Sequence, residues 1–286
     1  MSKKIVLIIC LFLSMTAYAV DWLSYTITVN QHRLHYYQAG KGKPLFLLTG
    51  YATTSNFWSK PFVNCLALDH TVYLVDYWGI NTDEKVPGNV SIQAMADDSY
   101  AISTALKVKN PVFVGWSMGG AVAEQIGFSY GDNLEKIVLI SPVTMTNQPA
   151  ADSSPKRTKP FKNFDDILNY VFDNNLYGYT PKQLKMYKNN LFAKDEQLFP
   201  GGEISENQHT AMNDWSISPA TLNEAKKSEI KYLFMVPKQD RILDPLHTIK
   251  DASNFPDAKV IEFDGSGHNI SMQDPDEVCK QITNFI

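Results

Sequence analysis

Short apolar runs without polar alternation are the feature that most limits how this chain of 286 residues can fold. Because an alternating strand has one solvated face, a run without alternation predicts a strand buried on both faces of a parallel sheet. Helical spacing in segments such as 91–108 separates these runs. The strand candidates are PLFLLTG (44–50), TVYLVDY (71–77), PVFVGW (111–116), KIVLISPV (136–143), IKYLFMVP (230–237) and AKVIEFDG (258–265). This order predicts an α/β fold, with a mostly parallel central sheet and helices on both faces.

Two exceptions to the alternation divide the chain into its predicted parts. YTITVN (25–30) and RLHYYQAG (33–40) predict an antiparallel strand pair at the N-terminal side of the sheet. Residues 144–229 contain no strong buried-strand run, and about 85 residues are too many for a plain connection. They are therefore predicted to form a helical cap or lid inserted into the core. The core is then made of residues 20–143 and 230–286.

The predicted cap contains many aromatic residues and two amphipathic stretches, 163–176 and 181–192. Some of the aromatic side chains could line an apolar acyl pocket, but packing of the cap on the core accounts better for most of them. These residues are Phe161, Phe164, Tyr170, Phe172, Tyr177, Tyr179, Tyr187, Phe192 and Trp215.

Residues 1–19 have the pattern of a secretory signal peptide. Lys3 and Lys4 precede an apolar run at 5–15, and Ala17-Tyr18-Ala19 resembles a small-residue cleavage site. The run is shorter than the about 20 residues of a membrane span, so cleavage after Ala19 is predicted in preference to an uncleaved anchor. The mature chain is then expected in the periplasm or the medium, without a stable membrane span.

Charge and cysteine content bear on the possible partners and cofactors. The net charge is −4 and there is no basic block, so nucleic acid is not an expected partner. Cys65 and Cys279 remain after the predicted cleavage, and either a disulfide or two buried free thiols would suit them. No Cys/His cluster suggests a metal site, and no cofactor is expected.

The segment VFVGWSMGG, residues 112–120, contains the first candidate for a catalytic group. Ser117 follows a predicted strand and precedes a predicted helix, with Gly115 and Gly119 two residues away on either side. One interpretation is a serine that caps the helix. The other is a nucleophile in a strained strand-to-helix turn, where side chains at the two glycines would collide with the backbone. The paired glycines favour the nucleophile, because a helix cap does not need them.

A serine nucleophile needs a base and an acid that orients the base. His268 lies in a glycine-rich loop after the last predicted strand, at the sheet edge where Ser117 is expected. Asp240 comes shortly after the strand before it, whereas Asp244 precedes Pro245 and is expected to cap a helix. The other histidines are expected on the surface of the strand pair (His32, His35), at the wrong edge of the sheet (His70), in the insertion (His209) and at a helix start (His247).

These residues resemble the α/β-hydrolase family, in its esterase and lipase-like branch with a helical cap. GWSMGG resembles the family's nucleophile elbow, PKQDRILDP its acid loop and GSGHNISMQDPDEV its histidine loop, in the family's order of serine, acid and histidine. LFLLTGYATTSNFW resembles the oxyanion loop. The resemblance implies oxyanion donors at the backbone N–H groups of Tyr51 and Met118. Thr49-Gly50 stands where the family commonly has His-Gly, which leaves the support of that loop to be explained.

The resemblance implies an exported serine hydrolase that cleaves small-molecule carboxylic esters without a cofactor or metal. Ser117 would be the nucleophile, His268 the general base and acid, and Asp240 the group that orients His268. A short- to medium-chain acyl group is the expected preference. Acyl transfer, or cleavage of thioesters, amides or carbon–carbon bonds, would use the same residues. A ligand-binding protein with an idle triad is the non-catalytic alternative.

Overall fold

The central sheet has eight strands in the order β1-β2-β4-β3-β5-β6-β7-β8 in the computed structural model, which describes residues 20–86, 88, 90–144, 176–192 and 198–286. β1 pairs with β2 and β2 with β4 in antiparallel register, and every pair from β4 to β8 is parallel. The strands are β1 Leu23–Val29, β2 His32–Ala39, β3 Lys43–Leu48, β4 His70–Val75, β5 Val112–Trp116, β6 Lys136–Ile140, β7 Lys231–Pro237 and β8 Lys259–Phe263. The predicted α/β fold and its antiparallel strand pair are therefore confirmed.

The helices of the described residues follow the strands in the predicted alternation. They are α1 Lys60–Ala67, α2 Ile92–Ala105, α3 Met118–Tyr130, α4 Pro181–Asn189, α5 Gly202–Asp214, α6 Pro219–Ala225, α7 Pro245–Ala252, α8 Ile270–Gln273 and α9 Pro275–Phe285, with 3₁₀ turns at Ser55–Phe57 and Gly131–Asn133. None of these helices is long and apolar enough to cross a membrane.

Each face of the sheet has its own apolar core, because successive strand residues point to opposite faces. Phe46, Phe113 and Phe234 pack on the face covered by α2, α3 and α7. Leu45, Val114 and neighbouring residues pack on the other face, against α1 and α9. Burial on both faces explains why these strands show no polar alternation in the sequence.

Helices α4, α5 and α6 lie between β6 and β7, where an inserted helical segment was predicted. Pro181 begins α4, and Thr180 and Gln183 form a reciprocal capping box at its start. The predicted signal peptide at 1–19, the greater part of the stretch 163–176, and Phe161, Phe164, Tyr170 and Phe172 lie outside the described residues. The limits of a separate cap subdomain stay a prediction.

Cys65 of α1 and Cys279 of α9 form a disulfide, with their Cα atoms 6.3 Å apart. Of the two alternatives that the sequence left open, the structure has the disulfide. It joins two helices that cover the same face of the sheet, across a sequence separation of 214 residues.

His35 is buried, so the prediction that it lies on the surface of the strand pair is wrong. The physical reason is that β2 pairs with β4 as well as with β1, which makes it an internal strand. The His35 ring lies between Asp76 Oδ2, 2.8 Å from its Nδ1, and the Ser24 hydroxyl, 2.9 Å from its Nε2. Asp76 also accepts hydrogen bonds from the backbone N–H and the hydroxyl of Ser55, at 2.6 and 2.9 Å.

Glu124 of α3 is a fully buried carboxyl group, and within the described part of the chain neither of its oxygens has a hydrogen-bond partner. Burial, together with the nearby Asp251, raises the pKa of Glu124 well above its ordinary value. The folded state therefore binds the Glu124 proton more tightly than the unfolded state does. Stability then falls as the pH rises above about 4.3, the pKa of an unperturbed Glu.

Replacing Glu124 by glutamine is expected to remove this loss of stability. We expect the Tm at pH 8 to rise by about 2–6 °C, the effect of 1–2 kcal/mol in a protein of this size, with no rise near pH 4.5. Thermal unfolding at both pH values measures it. The exposed Glu206 of α5 provides a control, since Glu206→Gln should change neither Tm. An equal gain at both pH values would rule out the titration of Glu124 as the cause.

Candidate active site

Ser117 occupies a strained turn between β5 and α3. Its φ of 55° and ψ of −118° lie in a region that costs a non-glycine residue about 1–3 kcal/mol. The turn is held by backbone hydrogen bonds. Ser117 N–H donates to Ile140 O at 3.1 Å, and Ser117 O accepts from the N–H groups of Gly120 and Val143 at 2.8 and 2.9 Å. The neighbouring strand end thus fixes the turn.

The glycines of this turn are required by close backbone contacts. A Cβ at Gly115 would lie 2.1 Å from Gly119 O, and a Cβ at Gly119 would lie 2.1 Å from Leu48 O. Gly120, which the sequence analysis did not single out, is similar, since its Cβ would lie 2.4 Å from Pro142 Cβ. Side chains at these positions would force the elbow away from β3 and β6.

The Ser117 hydroxyl is not a helix cap. Ser117 occupies the N-cap position of α3, but its side chain makes no capping hydrogen bond. The residue is only 8% exposed, so the side chain is largely covered. The loop at Gly50 provides part of the cover, because a Cβ there would lie 3.3 Å from Ser117 Cβ.

His268 and Asp240 form a buried hydrogen-bonded pair. Their side chains are 2% and 3% exposed, and His268 Nδ1 lies 2.7 Å from Asp240 Oδ2. The other carboxylate oxygen, Oδ1, accepts from the N–H groups of Ile242 and Leu243 at 2.8 and 3.0 Å. With Nδ1–H donating to the carboxylate, neutral His268 keeps Nε2 as an acceptor. Asp244, as predicted, caps α7 by accepting from Leu246 N–H.

The indole of Trp116 connects the histidine loop to the elbow. Trp116 Nε1–H donates to His268 O at 3.1 Å, and the rings of Trp116 and His268 have centroids 5.8 Å apart. The residue directly before Ser117 therefore contacts His268. Within the described residues, the Ser117 hydroxyl and the His268 ring are not hydrogen-bonded to each other. Catalytic hydrogen bonds often tighten only when a substrate is bound.

Gln273 of α8 supports the histidine loop from the other side. Its Oε1 accepts from Gly267 N–H at 2.9 Å and from Tyr177 N–H at 3.1 Å, and its Nε2–H donates to Tyr177 O at 2.8 Å. The Ser266 hydroxyl also donates to Asp274. One side chain thus joins the loop that bears His268 to the segment between β6 and β7.

The loop after β3, where Thr49 stands at the position of the family's usual histidine, is fixed by hydrogen bonds from side chains. The hydroxyls of Thr49 and Thr53 are 2.6 Å apart, and Thr53 Oγ1–H donates to Gly50 O at 2.8 Å. Tyr77 O–H donates to Thr49 O at 3.0 Å. Because the C=O and N–H of a trans peptide point in opposite directions, the bond to Gly50 O directs Tyr51 N–H away from Thr53. Met118, with the other predicted donor, is the first residue of α3.

Ser24, His35 and Asp76 form a second serine, histidine and aspartate series, far along the sheet from Ser117. Its hydrogen bonds are continuous, but Ser24 lies on the edge strand β1 in regular strand backbone. No helix begins directly after Ser24, and glycine does not flank it. The surroundings that would stabilise an oxyanion are found at Ser117, at the start of α3.

No group of three or more His, Cys, Asp or Glu side chains that could hold a metal ion occurs among the residues with described positions. The elements that meet at Ser117 supply serine, imidazole, carboxylate and backbone N–H groups. Such a set suits acyl chemistry by proton transfer and nucleophilic attack.

The family model of the alpha/beta hydrolase fold matches residues 43–275, and the chain belongs to that family. A 2-hydroxy-6-oxo-6-phenylhexa-2,4-dienoate hydrolase from Burkholderia cepacia is 25% identical, over 95% of this chain and 99% of that protein.

Two solved esterases have the same fold. The structure of a thermophilic esterase from Thermogutta terrifontis matches with a TM-score of 0.71 at 19% identity, covering 93% of this chain and 97% of that one. An esterase from Rhodococcus sp. ECU1013 matches with a TM-score of 0.72 at 20% identity, covering 93% and 98%.

Proposed function

We propose that the protein is an exported serine hydrolase that cleaves carboxylic esters with short to medium acyl chains through an acyl-enzyme on Ser117. The observation that carries the proposal is the meeting of a strained serine elbow with the buried His268–Asp240 pair at one sheet edge, linked by Trp116. Export is supported by the Cys65–Cys279 disulfide, since disulfides persist mainly in oxidising compartments.

The first half of the reaction transfers the acyl group to Ser117. Ser117 Oγ attacks the ester carbonyl carbon while His268 Nε2 takes its proton, and Asp240 stabilises the imidazolium that forms. The backbone N–H groups of Tyr51 and Met118 stabilise the oxyanion, where the loss of one donor typically costs about 10²–10³-fold in kcat. The carbon–oxygen bond to the alcohol then breaks, and the alcohol leaves with the proton from His268.

The second half of the reaction returns the enzyme to its resting state. His268 takes a proton from water as the water oxygen attacks the acyl carbon, and a second oxyanion forms between the same N–H donors. The bond to Ser117 Oγ breaks, the serine regains its proton from His268, and the carboxylic acid is released. His268 accepts and then donates each proton that moves, and neither half of the proposed reaction uses a cofactor.

The relative from B. cepacia favours one second candidate, hydrolysis of a carbon–carbon bond next to a ketone. The same nucleophile, base and oxyanion donors would serve, so the substrate decides between the two. Acyl transfer, thioester cleavage and amide cleavage are tested by the same substrate panel.

A panel of p-nitrophenyl esters from acetate to palmitate tests the proposed function. We expect the highest kcat/KM between butanoate and octanoate, and activity in the periplasmic or secreted fraction of a bacterial host rather than in its cytoplasm. If the protein cleaves a 1,5-diketone, a thioester or an amide faster than any ester, its substrate class is that compound's class and not the esters. No turnover of any ester would contradict the ester hydrolase.

A fluorophosphonate probe separates an active enzyme from a ligand-binding protein with an idle triad. We expect one probe per chain, on Ser117, because only an activated serine reacts quickly with such a probe. Tryptic mapping of the labelled protein identifies the residue. Label on no serine would favour the binding protein.

A further inference from the structure

Gln208 of α5 reaches the loop that carries one of the proposed oxyanion donors. Its Oε1 accepts a hydrogen bond from Ala52 N–H at 2.9 Å, across 156 residues of sequence. Gln208 is 1% exposed. Because only the oxygen of a carboxamide can accept from an N–H group, this bond also fixes which side of the amide faces Ala52.

Ala52 needs such a restraint. Its φ of 55° lies in the left-handed region, which an alanine occupies only when its surroundings hold it there. Ala52 N–H shares a peptide plane with the carbonyl of Tyr51, so the bond to Gln208 fixes the plane after Tyr51. Thr53 fixes the plane before it, through Gly50 O. Together the two side chains determine the backbone direction at Tyr51.

Within the described residues, only the oxygen of the buried Gln208 amide is hydrogen-bonded. Its Nε2 is buried and has no hydrogen-bond partner among the residues that the structure describes, and a buried unsatisfied donor typically costs about 1–3 kcal/mol. A methionine of similar volume would remove the unsatisfied Nε2 donor, but it would leave the buried Ala52 N–H without its acceptor. What the amide provides is its oxygen, and that oxygen is bonded to Ala52. The bond to Ala52 N–H is therefore the contact that this amide provides.

We propose that Gln208 is a positioning residue that holds the Tyr51–Ala52 peptide and, together with Thr53, which fixes the preceding peptide, keeps Tyr51 N–H aimed at the oxyanion. This inference rests on the proposed function. It gives a residue of the segment between β6 and β7 a role in positioning an oxyanion donor. His209, the next residue on α5, has its ring centroid 6.1 Å from that of Tyr51, so the helix contacts the loop at two successive positions. The catalytic groups themselves stay on the sheet edge.

Gln208→Met tests the proposal with the best p-nitrophenyl ester. We expect kcat to fall about 10–100-fold, which is less than the about 10²–10³-fold loss when an oxyanion donor is removed completely. KM should change less than about twofold. We expect kcat to change more than KM because the oxyanion forms in the transition state and is absent from the bound ester. Gln208→Glu keeps an oxygen acceptor for Ala52 N–H and should restore kcat to within about fivefold of wild type. Glu206→Ala, on the exposed side of the same helix, is the control and should change neither constant.

Ala52→Gly adds a coupling test. Glycine occupies positive φ without a steric penalty, so the loss caused by Gln208→Met should be at least about threefold smaller in the Ala52→Gly background than in the wild type. Equal losses in the two backgrounds would mean that Gln208 acts on something other than the loop, and the proposal would be wrong.

Hydrogen exchange at the Ala52 amide gives a readout that does not depend on ester turnover. We expect faster exchange in Gln208→Met than in wild type, at an unchanged Tm. Faster exchange with unchanged kcat would overturn the positioning role while leaving the hydrolase intact. If wild type cleaves no ester, the proposed function is wrong. If hydrogen exchange at the Ala52 amide is the same in Gln208→Met as in wild type, Gln208 does not restrain the loop and the inference is wrong as well.

Discussion

Ser117→Ala is expected to lower kcat/KM for the best ester by about 10⁴–10⁶-fold, the range found when a serine hydrolase loses its nucleophile. The alanine keeps the elbow backbone, so the Tm should stay within a few degrees of wild type. Steady-state kinetics with p-nitrophenyl esters measures the loss, and the same variant should no longer react with a fluorophosphonate. The double variant with His268→Ala should be little worse than either single variant, because the two residues act as a unit.

Ser24 supplies a matched control for this experiment. Its hydroxyl is hydrogen-bonded to His35, which is bonded to Asp76, so it has a histidine and an aspartate but lies on an edge strand. Ser24→Ala should keep kcat/KM within about twofold of wild type. If Ser24→Ala abolished turnover and Ser117→Ala did not, the nucleophile would be Ser24 and the assignment of the elbow would be wrong.

Removing the disulfide with Cys65→Ala and Cys279→Ala together is expected to lower the free energy of unfolding by about 2–5 kcal/mol. The bond closes a loop with a sequence separation of 214 residues, and long loops lose the most chain entropy in the unfolded state when they are closed. Ester turnover at 25 °C should be retained, since the cysteines lie on α1 and α9 and supply none of the proposed catalytic groups. Urea unfolding followed by tryptophan fluorescence measures the change.

Reductant provides the control for the disulfide experiment. Dithiothreitol should lower the urea midpoint of wild type toward that of the double variant, and it should leave the double variant unchanged. A wild-type midpoint that equals the variant's without reductant would show that the disulfide contributes nothing to stability.

The sheet was predictable from sequence because its central strands are buried on both faces. A strand such as β5 has all five residues buried, and this leaves a continuous apolar run in the sequence. The parallel pairing followed from the alternation with helices. The antiparallel pair β1–β2 followed from two short β-rich runs, but the sequence did not show that β2 also pairs with β4. The wrong prediction for His35 came from that omission.

Residues near strand ends were also accessible to sequence reasoning. Asp240 and Asp244 differ by four positions, and their distances from the end of β7 and from Pro245 were enough to separate a loop carboxylate from a helix cap. Both assignments depend on local geometry, which a sequence motif encodes. The catalytic role of Asp240 stays a prediction.

The supporting contacts were beyond sequence reasoning because they join distant segments through ordinary side chains. Gln208 and Ala52 are 156 residues apart, and Gln273 and Tyr177 are 96 residues apart. Gln208 belongs to no motif, and Gln273 lies within the histidine-loop motif but was not singled out there. A glutamine on a polar helix normally indicates a solvated face. Burial and the unpartnered Nε2 of Gln208 are properties of the packed structure alone.

The disulfide between α1 and α9 also keeps the chain covalently joined when a protease cuts it once between the two cysteines. Cys65 and Cys279 close a covalent ring that includes Ser117, Gln208, Asp240 and His268. A single cut in the backbone between the two cysteines opens the ring but releases no fragment, so Ser117, Asp240 and His268 remain on one covalent molecule. A nicked protein would run as one species on a non-reducing gel and as two on a reducing gel, while both halves of the site stay joined.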